Sequence, residues 1–356
     1  MADKYRIDAH KLIYHPERVA QWRTTGDCYP IYIELSPSGA CNHRCTFCGL
    51  DFVGYQPRFL DYEILKVRLP EMGQLGVKSI LHSGEGEPLL NKHFAEILRC
   101  GKESGIDQAL ATNAALLTRE KAEAILPFTE WIKVSIAGGT KEVYDALQRG
   151  AKGDFEKVVD NIQTAAEIKH KNGYHCTLGM QMLLLNENQH TAVSLAKIAK
   201  EIGADYLVIK PFSQQLASIN TEYQDIKYDQ CEKLAEELAT LNTDHFKVIF
   251  RANTMANWDQ AEVAYPKCLA LPFWSHIDAG GNVWGCGNFL HNENFCYGNI
   301  NESTFEEIWQ GEKRQKHLAI MRENWDISQC RVNCRMDKIN GYLNELENPI
   351  EHCNFI

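Results

Sequence analysis

The sequence predicts an α/β protein built on a parallel sheet, and three observations predict it. Short apolar runs alternate with longer amphipathic segments from residue 31 to about 250. Those segments have the length of crossover helices, which parallel strands require. After residue 250 the alternation stops, and Cys, Gly, Asn and Trp become dense. The expected organisation is an N-terminal extension over 1–30, a strand–helix body over 31–250 and a cysteine-rich unit over 251–356.

The strand candidates are Ile31–Leu35, Val77–His82, Gln108–Thr112, Trp131–Ile136, Thr177–Leu185 and Asp205–Lys210, with a seventh at Phe246–Phe250. Helical patterns lie between them at Tyr62–Leu75, His93–Ser104, Arg119–Leu126, Phe155–Lys171 and Thr191–Ile202. In the last, Val193, Leu195, Ile198, Ala199 and Ile202 recur at helical spacing. Six such units fall short of an eight-stranded barrel, leaving a partial barrel or an open doubly wound sheet. Either form gathers ligands at the carboxyl ends of its strands. In the C-terminal unit, residues 277–284 read as a hairpin with a Gly turn. Thr304–Ile308 reads as a helix start with Ser303 as N-cap and Glu306 in the capping box.

Of 356 residues, 44% are apolar and 24% charged, the balance of a globular protein with a large core. Lys and Arg number 37 against 47 Asp and Glu, a net charge of −10. An acidic chain without a basic run gains no counterion-release attraction to nucleic acid, which disfavours a polynucleotide partner. No apolar run reaches the roughly 18 residues of a membrane span, and no apolar signal core follows Met1. Thirteen cysteines then point to a reducing cytoplasm, where grouped cysteines mean metal or catalysis.

Cys41, Cys45 and Cys48 put three thiols in eight residues after the first strand candidate. Offsets of four and three would also place them on one helix face, as a core stripe. Pro37, Gly39 and Gly49 favour a loop instead. A zinc site short of a ligand is the other alternative. A 4Fe–4S cluster normally takes four thiolates, so three would leave one iron open to a substrate or cofactor. Ser83-Gly84-Glu85-Gly86-Glu87-Pro88 follows the second strand; alone it reads as a Gly-rich turn whose Glu87 can accept from an ammonium group.

With Phe47 in the Cys-x3-Cys-x-aromatic-Cys pattern, the sequence resembles the radical SAM enzymes. The resemblance implies a partial (β/α)6 TIM-like barrel. It also implies that Cys41, Cys45 and Cys48 hold a 4Fe–4S cluster whose fourth iron takes S-adenosylmethionine (SAM). In that family an electron from the cluster cleaves SAM to methionine and a 5′-deoxyadenosyl radical, which takes a substrate hydrogen. Flavodoxin or ferredoxin would supply the electron. Gly84, Gly86, Glu87 and Pro88 match the motif that binds the methionine amino group, with Glu85 in place of the usual Gly. Asn113 and Ser135, at the third and fourth strand ends, match further SAM contacts. After Ser135-Ile136 relatives often continue Asp-Gly, whereas this chain reads Ala137-Gly138. Lys210, ending the sixth strand before Pro211, could face the same pocket, but a solvated lysine is the favoured reading.

Cys268, Gly281-x4-Cys286 and Cys330-x3-Cys334 resemble the SPASM and twitch extensions, an α+β module carrying auxiliary iron–sulfur clusters. Residues 322–329 contain no cysteine, so these four ligands imply one auxiliary 4Fe–4S cluster; Cys353 has the place of a further ligand. A zinc ribbon is the alternative. Cys100, Cys176 and Cys231 read as buried apolar residues, while Cys28 or Cys296 could donate a hydrogen atom to a substrate radical. The expected function is oxidation or epimerisation of a carbohydrate- or cyclitol-type small molecule or glycan. Its basis is the polar C-terminal part and the short segment before the first strand. The alternatives are a peptide-modifying radical SAM enzyme and a non-catalytic iron–sulfur or zinc protein.

Overall fold

A computed structural model describes residues 4–7, 9–260, 263–290 and 292–355. After helix α1 (Pro16–Thr25), strands and helices alternate in the expected order. They run β1 (Tyr32–Leu35), α2 (Tyr62–Gln74), β2 (Ser79–His82), α3 (Phe94–Glu103), β3 (Asp107–Thr112) and α4 (Arg119–Ile125). Then follow β4 (Trp131–Ser135), α5 (Lys141–Gln148), α6 (Asp154–Asn172), β5 (Thr177–Leu184), α7 (Ala192–Glu201) and β6 (Tyr206–Pro211). The body closes with α8 (Glu232–Ala239), β7 (Lys247–Phe250) and α9 (Ala252–Gln260). Each of the seven strand candidates is a strand, displaced at its ends by no more than two residues. Helix α5 went unread in the sequence, although Thr140 caps it by accepting from Val143 N–H.

Strands β1 to β7 pair in parallel and in chain order, an open sheet rather than a closed barrel. Alternation decides the two faces. Ile132 and Val134 of β4 and Ile209 of β6 pack into the apolar layer shared with α5, α6 and α7. Ile33 and Leu35 of β1 join a second layer with α2. The residues between them, Glu34, Lys133 and Lys210, therefore face the inner side. Lys133 and Glu34 lie within electrostatic reach of each other on that face.

The cysteine-rich part does not form a separate sheet. Strand β8 (Trp274–Ile277) pairs in parallel with β1, in the register Tyr32 to Trp274 and Leu35 to Ile277. Strands β9 (Asn282–Trp284) and β10 (Cys296–Asn299) continue antiparallel, giving the order β10-β9-β8-β1-β2-β3-β4-β5-β6-β7. The hairpin thus stands where the sequence put it. The helix beyond it is shifted by one residue: α10 (Phe305–Gln310) is capped by Thr304, not Ser303, and Glu307, not Glu306, closes the capping box. Phe305 sets that register, since it is fully buried in the layer against α2 and must lie inside the first turn. Helices α11 (Glu312–Glu323) and α12 (Asp337–Glu347) complete the chain.

Candidate active site

Residues 41–50 form bends and turns, as Pro37, Gly39 and Gly49 led one to expect, and not the alternative of a helix with a cysteine stripe. The loop is docked by backbone on α5. Arg44 N–H donates to Gln148 O, and Thr46 N–H donates to Leu147 O at 2.9 Å. Cys45 Sγ lies 3.7 Å from the same Gln148 carbonyl. Buried His43 fixes the loop from beneath, with Nε2 3.1 Å from Asp154 Oδ2 and Nδ1 3.4 Å from Gln148 Nε2. Arg44 folds back on the carbonyls of Cys41 and His43 and covers the Tyr55 ring at 4.2 Å. Tyr55 also stands against the Cys48 thiol. Phe47 packs against the main apolar layer.

The turn after β2 meets this loop directly. Glu87 N–H donates to Ala40 O at 2.8 Å. A Cβ on Gly86 would lie 2.0 Å from that same oxygen, so only glycine permits the approach. Gly84 has φ +97°, and a Cβ there would meet Ser36 Oγ at 1.9 Å. Pro88 begins a 3-10 turn capped by Glu87. Buried Glu87 accepts from Thr112 Oγ1 (2.6 Å), Leu89 N–H (3.2 Å) and Asn113 N–H (2.8 Å). Burial raises its pKa, against the opposing hydrogen bonds. Three of about four acceptor positions are thereby filled, leaving room for one further donor. Asn113 Nδ2 reaches Asn42 Oδ1 at 2.7 Å, joining the β3 end to the cysteine loop. Ser135, half-buried on the inner face of β4, accepts from Gln148 Nε2 at its carbonyl.

Glu85, the departure from glycine, is buried and turned away from this junction. It accepts from Arg58 Nη2 at 2.6 Å and from Ala279 N–H at 2.9 Å, clamping the turn to the C-terminal hairpin. Ala137 is buried in the apolar layer, and its backbone binds Gln148 Oε1 and Asn188 Nδ2. Lys210 is not a solvated lysine. It sits half-buried on the inner face among Lys133, Arg251, Arg331 and Arg335, and burial followed by those charges pushes its pKa well below the usual value.

The four C-terminal cysteines converge where two apolar clusters meet. Cys268, Cys286 and Cys330 border one, Cys286 and Cys334 the other. Cys268 and Cys286 each lie within electrostatic reach of Cys330 and Cys334. Trp325 Nε1 donates to Cys330 Sγ at 3.3 Å, and Asn340 Nδ2 to Cys268 Sγ at 3.7 Å. Burial raises Cys268 to about 12 and Cys334 to about 11. Cys41 is likewise raised, to about 11, chiefly by burial. Such thiols stay protonated until a metal displaces the proton. All thirteen cysteines are free of disulfides, so both sets are available as thiolate donors. The donor sets therefore fit one three-cysteine and one four-cysteine cluster, although no three His, Cys, Asp or Glu among the described residues converge on a single-ion position.

Cys28 lies before β1 in an apolar cluster with Trp22, Ile31 and Phe273, its Sγ 3.6 Å from Pro272 O. The three-cysteine loop follows the opposite end of that strand. Cys296 is buried at the start of β10 beside Trp284 and Phe295. Cys353 is exposed. Sequence reasoning missed His43, Tyr55, Arg58 and Asp154, whose only signal was proximity to the cysteine loop or none. It also missed Arg331 and Arg335, which flank cysteines already singled out.

A radical SAM superfamily model matches residues 35–199, and an iron–sulfur cluster-binding domain (SPASM) model matches residues 268–335. The chain belongs to the radical SAM superfamily and carries a SPASM domain. Its cofactors are accordingly SAM, a SAM-binding 4Fe–4S cluster and an auxiliary iron–sulfur cluster. Among curated proteins it is 25% identical over 323 residues to the AdoMet-dependent heme synthase of Methanosarcina barkeri, covering 86% of this chain and 87% of that protein. It is 22% identical over 331 residues to the tungsten-containing aldehyde ferredoxin oxidoreductase cofactor-modifying protein of Pyrococcus furiosus, covering 84% and 86%. The fold is similar to that of Streptococcus suis SuiB bound to SAM, with TM-score 0.66 and 18% identity over 94% of this chain and 79% of that one. SuiB has also been solved with its precursor peptide SuiA. No helix among the described residues is long and apolar enough to cross a membrane.

Proposed function

We propose that the protein cleaves SAM reductively and takes a hydrogen atom from a carbon of a polar small molecule of carbohydrate or cyclitol type, oxidising or epimerising it. The observation carrying this reading is the junction of the Cys41–Cys48 loop with the Gly84–Pro88 turn at the carboxyl ends of β1 to β3. Cys41, Cys45 and Cys48 would hold the SAM-binding cluster, which supplies one electron to the sulfonium when bound. Gly84, Gly86, Glu87 and Pro88 would shape the methionine site, where Glu87 keeps an acceptor position for the ammonium group. Asn113 and Ser135 offer polar groups to the nucleoside and carboxylate. Phe47 anchors the loop.

Cys268, Cys286, Cys330 and Cys334 form a closed ligand set for the auxiliary cluster, the arrangement of an electron relay. A relay accepts the substrate electron in an oxidation, with flavodoxin or ferredoxin serving as external partner. Epimerisation would instead need a thiol donor, for which Cys28 and Cys296 are the candidates. The inner face favours a polar substrate, since Glu34, Lys133, Ser135 and Lys210 all lie on it. A peptide substrate is the second reading, because the SuiB fold admits a bound peptide. The residue ranges 1–30, 31–250 and 251–356 then serve as extension, radical-generating body and auxiliary-cluster unit.

Anaerobic reconstitution with iron, sulfide, dithionite and SAM provides the test. Wild type should yield 5′-deoxyadenosine and about eight irons per chain, and Cys41→Ala, Cys45→Ala and Cys48→Ala should yield no 5′-deoxyadenosine. Stoichiometric zinc with no 5′-deoxyadenosine from wild type overturns the reading. Deuterium appearing in 5′-deoxyadenosine from labelled sugars, and not from labelled peptides, selects the first substrate class. Product surviving in both Cys28→Ala and Cys296→Ala removes the thiol-donor role.

A further inference from the structure

We propose that Trp325, Asn340 and Tyr265 make the auxiliary cluster the electron acceptor of the two clusters, by hydrogen-bonding three of its four cysteine sulfurs. This deepens the relay reading of Cys268, Cys286, Cys330 and Cys334 and rests on it. Trp325 Nε1 lies 3.3 Å from Cys330 Sγ, and an indole N–H can only donate. Asn340 Nδ2 lies 3.7 Å from Cys268 Sγ, and Tyr265 Oη lies 4.0 Å from Cys334 Sγ. Either atom of the last pair could donate while the sulfur carries a proton. On a metal-bound thiolate only the tyrosine hydroxyl can.

The fold holds these donors in place. Asn340 is buried on α12, and its Oδ1 accepts from Leu269 N–H at 2.8 Å and from Ala270 N–H at 2.9 Å. Those two donors identify the oxygen of the amide, so its nitrogen is the atom facing Cys268. Tyr265 is buried as well. Trp325 packs edge-on against Phe289 and Phe295, 5.4 Å from each, which sets the plane of the indole. The Cys41–Cys48 loop is furnished differently. Cys45 Sγ faces the Gln148 carbonyl at 3.7 Å, an acceptor with nothing to give a thiolate. Among the described residues the one side-chain donor against its sulfurs is Tyr55, beside Cys48.

Hydrogen bonds to cluster sulfurs favour the reduced state, with its extra negative charge, and so raise the reduction potential. Three side-chain donors against one set the auxiliary cluster above the SAM-binding cluster on this count. An electron released by a substrate radical then runs toward the C-terminal cysteines and not back toward the Cys41–Cys48 loop. Of the two outcomes above, this favours oxidation over epimerisation. For a carbinol the balance closes: carbon gives a hydrogen atom to the 5′-deoxyadenosyl radical and oxygen gives a proton to water. The remaining electron leaves by way of the auxiliary cluster to flavodoxin or ferredoxin. None of the three residues touches the reacting atoms; they are positioning residues that act through the sulfurs.

The test is a redox titration of the reconstituted holoenzyme followed by electron paramagnetic resonance, with SAM added to tell the two cluster signals apart. In wild type the auxiliary signal should have the higher midpoint potential. Trp325→Phe and Tyr265→Phe keep the rings and remove one donor each. Trp325→Phe should favour the oxidised auxiliary cluster about tenfold, or about 59 mV for one electron, and Tyr265→Phe should do so less, its contact being longer. Asn340→Asp keeps an oxygen for Leu269 and Ala270, replaces the donor by a charge, and should lower the potential too. The SAM-binding cluster in the same samples should not move, whereas general loosening of the fold would move both. An auxiliary potential unchanged in Trp325→Phe and Asn340→Asp, raised in either, or below the SAM-binding cluster in wild type overturns the inference. So does loss of the auxiliary signal from all three variants, since the donors would then hold the cluster rather than set its potential. Failure of the relay reading itself is distinct: wild type would bind about four irons per chain and show no second signal, which removes both.

Discussion

Gly86 has no space for a side chain, because the Ala40 carbonyl already receives the neighbouring Glu87 N–H. Gly86→Ala should push the turn off the cysteine loop, costing about 1–3 kcal/mol. SAM affinity, measured anaerobically by calorimetry, should fall about tenfold or more. The glycine pattern was legible from the sequence, but the meaning of Glu85 was not. Its partners, Arg58 and Ala279, are 27 and 194 residues away in the chain. Lys210 was misread for a related reason: whether a strand-end lysine meets water or other cations depends on strands that pair only in the folded sheet. His82 makes a pH prediction. It is fully buried, with Nε2 2.7 Å from Gln108 Oε1, and burial lowers its pKa to about 4. An unfolded histidine titrates near 6.5, so the unfolded chain binds the proton first and this stability is lost as pH falls from about 6.5 toward 4. His317 shifts the same way, so the informative quantity is a difference. Between pH 7 and 5.5, urea melts should show wild type losing about 1 kcal/mol more than His82→Gln.

Among the elements, α11 is attached to the segment before β1 by one buried pair. Arg314 is fully buried over the Trp309 ring at 3.8 Å and donates to both Asp27 oxygens, at 2.6 and 2.8 Å. Burial alone would raise the Asp27 pKa, but the Arg314 contacts and Gln315 outweigh it and hold it low. Asp27→Asn leaves the guanidinium without its counter-charge. Because Asp27 keeps 28% exposure, the expected cost lies near or below the usual range for breaking a buried pair, about 2–3 kcal/mol by denaturant unfolding. Periodicity located the seven body strands and helices α2, α3, α4, α6 and α7, whereas α1, α5, α8, α9, α11 and α12 went unread. The one-residue error at α10 arose because Ser303 is the stronger cap by type, and the burial of Phe305 selects Thr304 instead.

In the whole molecule, the C-terminal cysteine density was legible but not its place in the sheet. No local signal tells that β8 pairs with β1 while β7 occupies the far edge. Removing residues 251–356 would therefore uncover one side of β1 together with Ile33 and Leu35, whose layer includes Ile277, Val283, Phe305 and Trp309. A chain ending at residue 250 should be insoluble or bind a hydrophobic dye strongly, rather than fold as a free-standing body. A soluble product with native-like circular dichroism would contradict that expectation.

The pairing of Tyr32 with Trp274 also bears on how the chain is made. On the ribosome, β1 emerges early and acquires β2 soon afterwards, yet its other edge must wait until most of the protein has been synthesised. For that interval a parallel, largely apolar strand offers open backbone groups to any passing chain. Long-range closure of this kind is slow. Production of intact protein should accordingly depend on slowed translation or chaperone supply, even where iron and sulfide are plentiful.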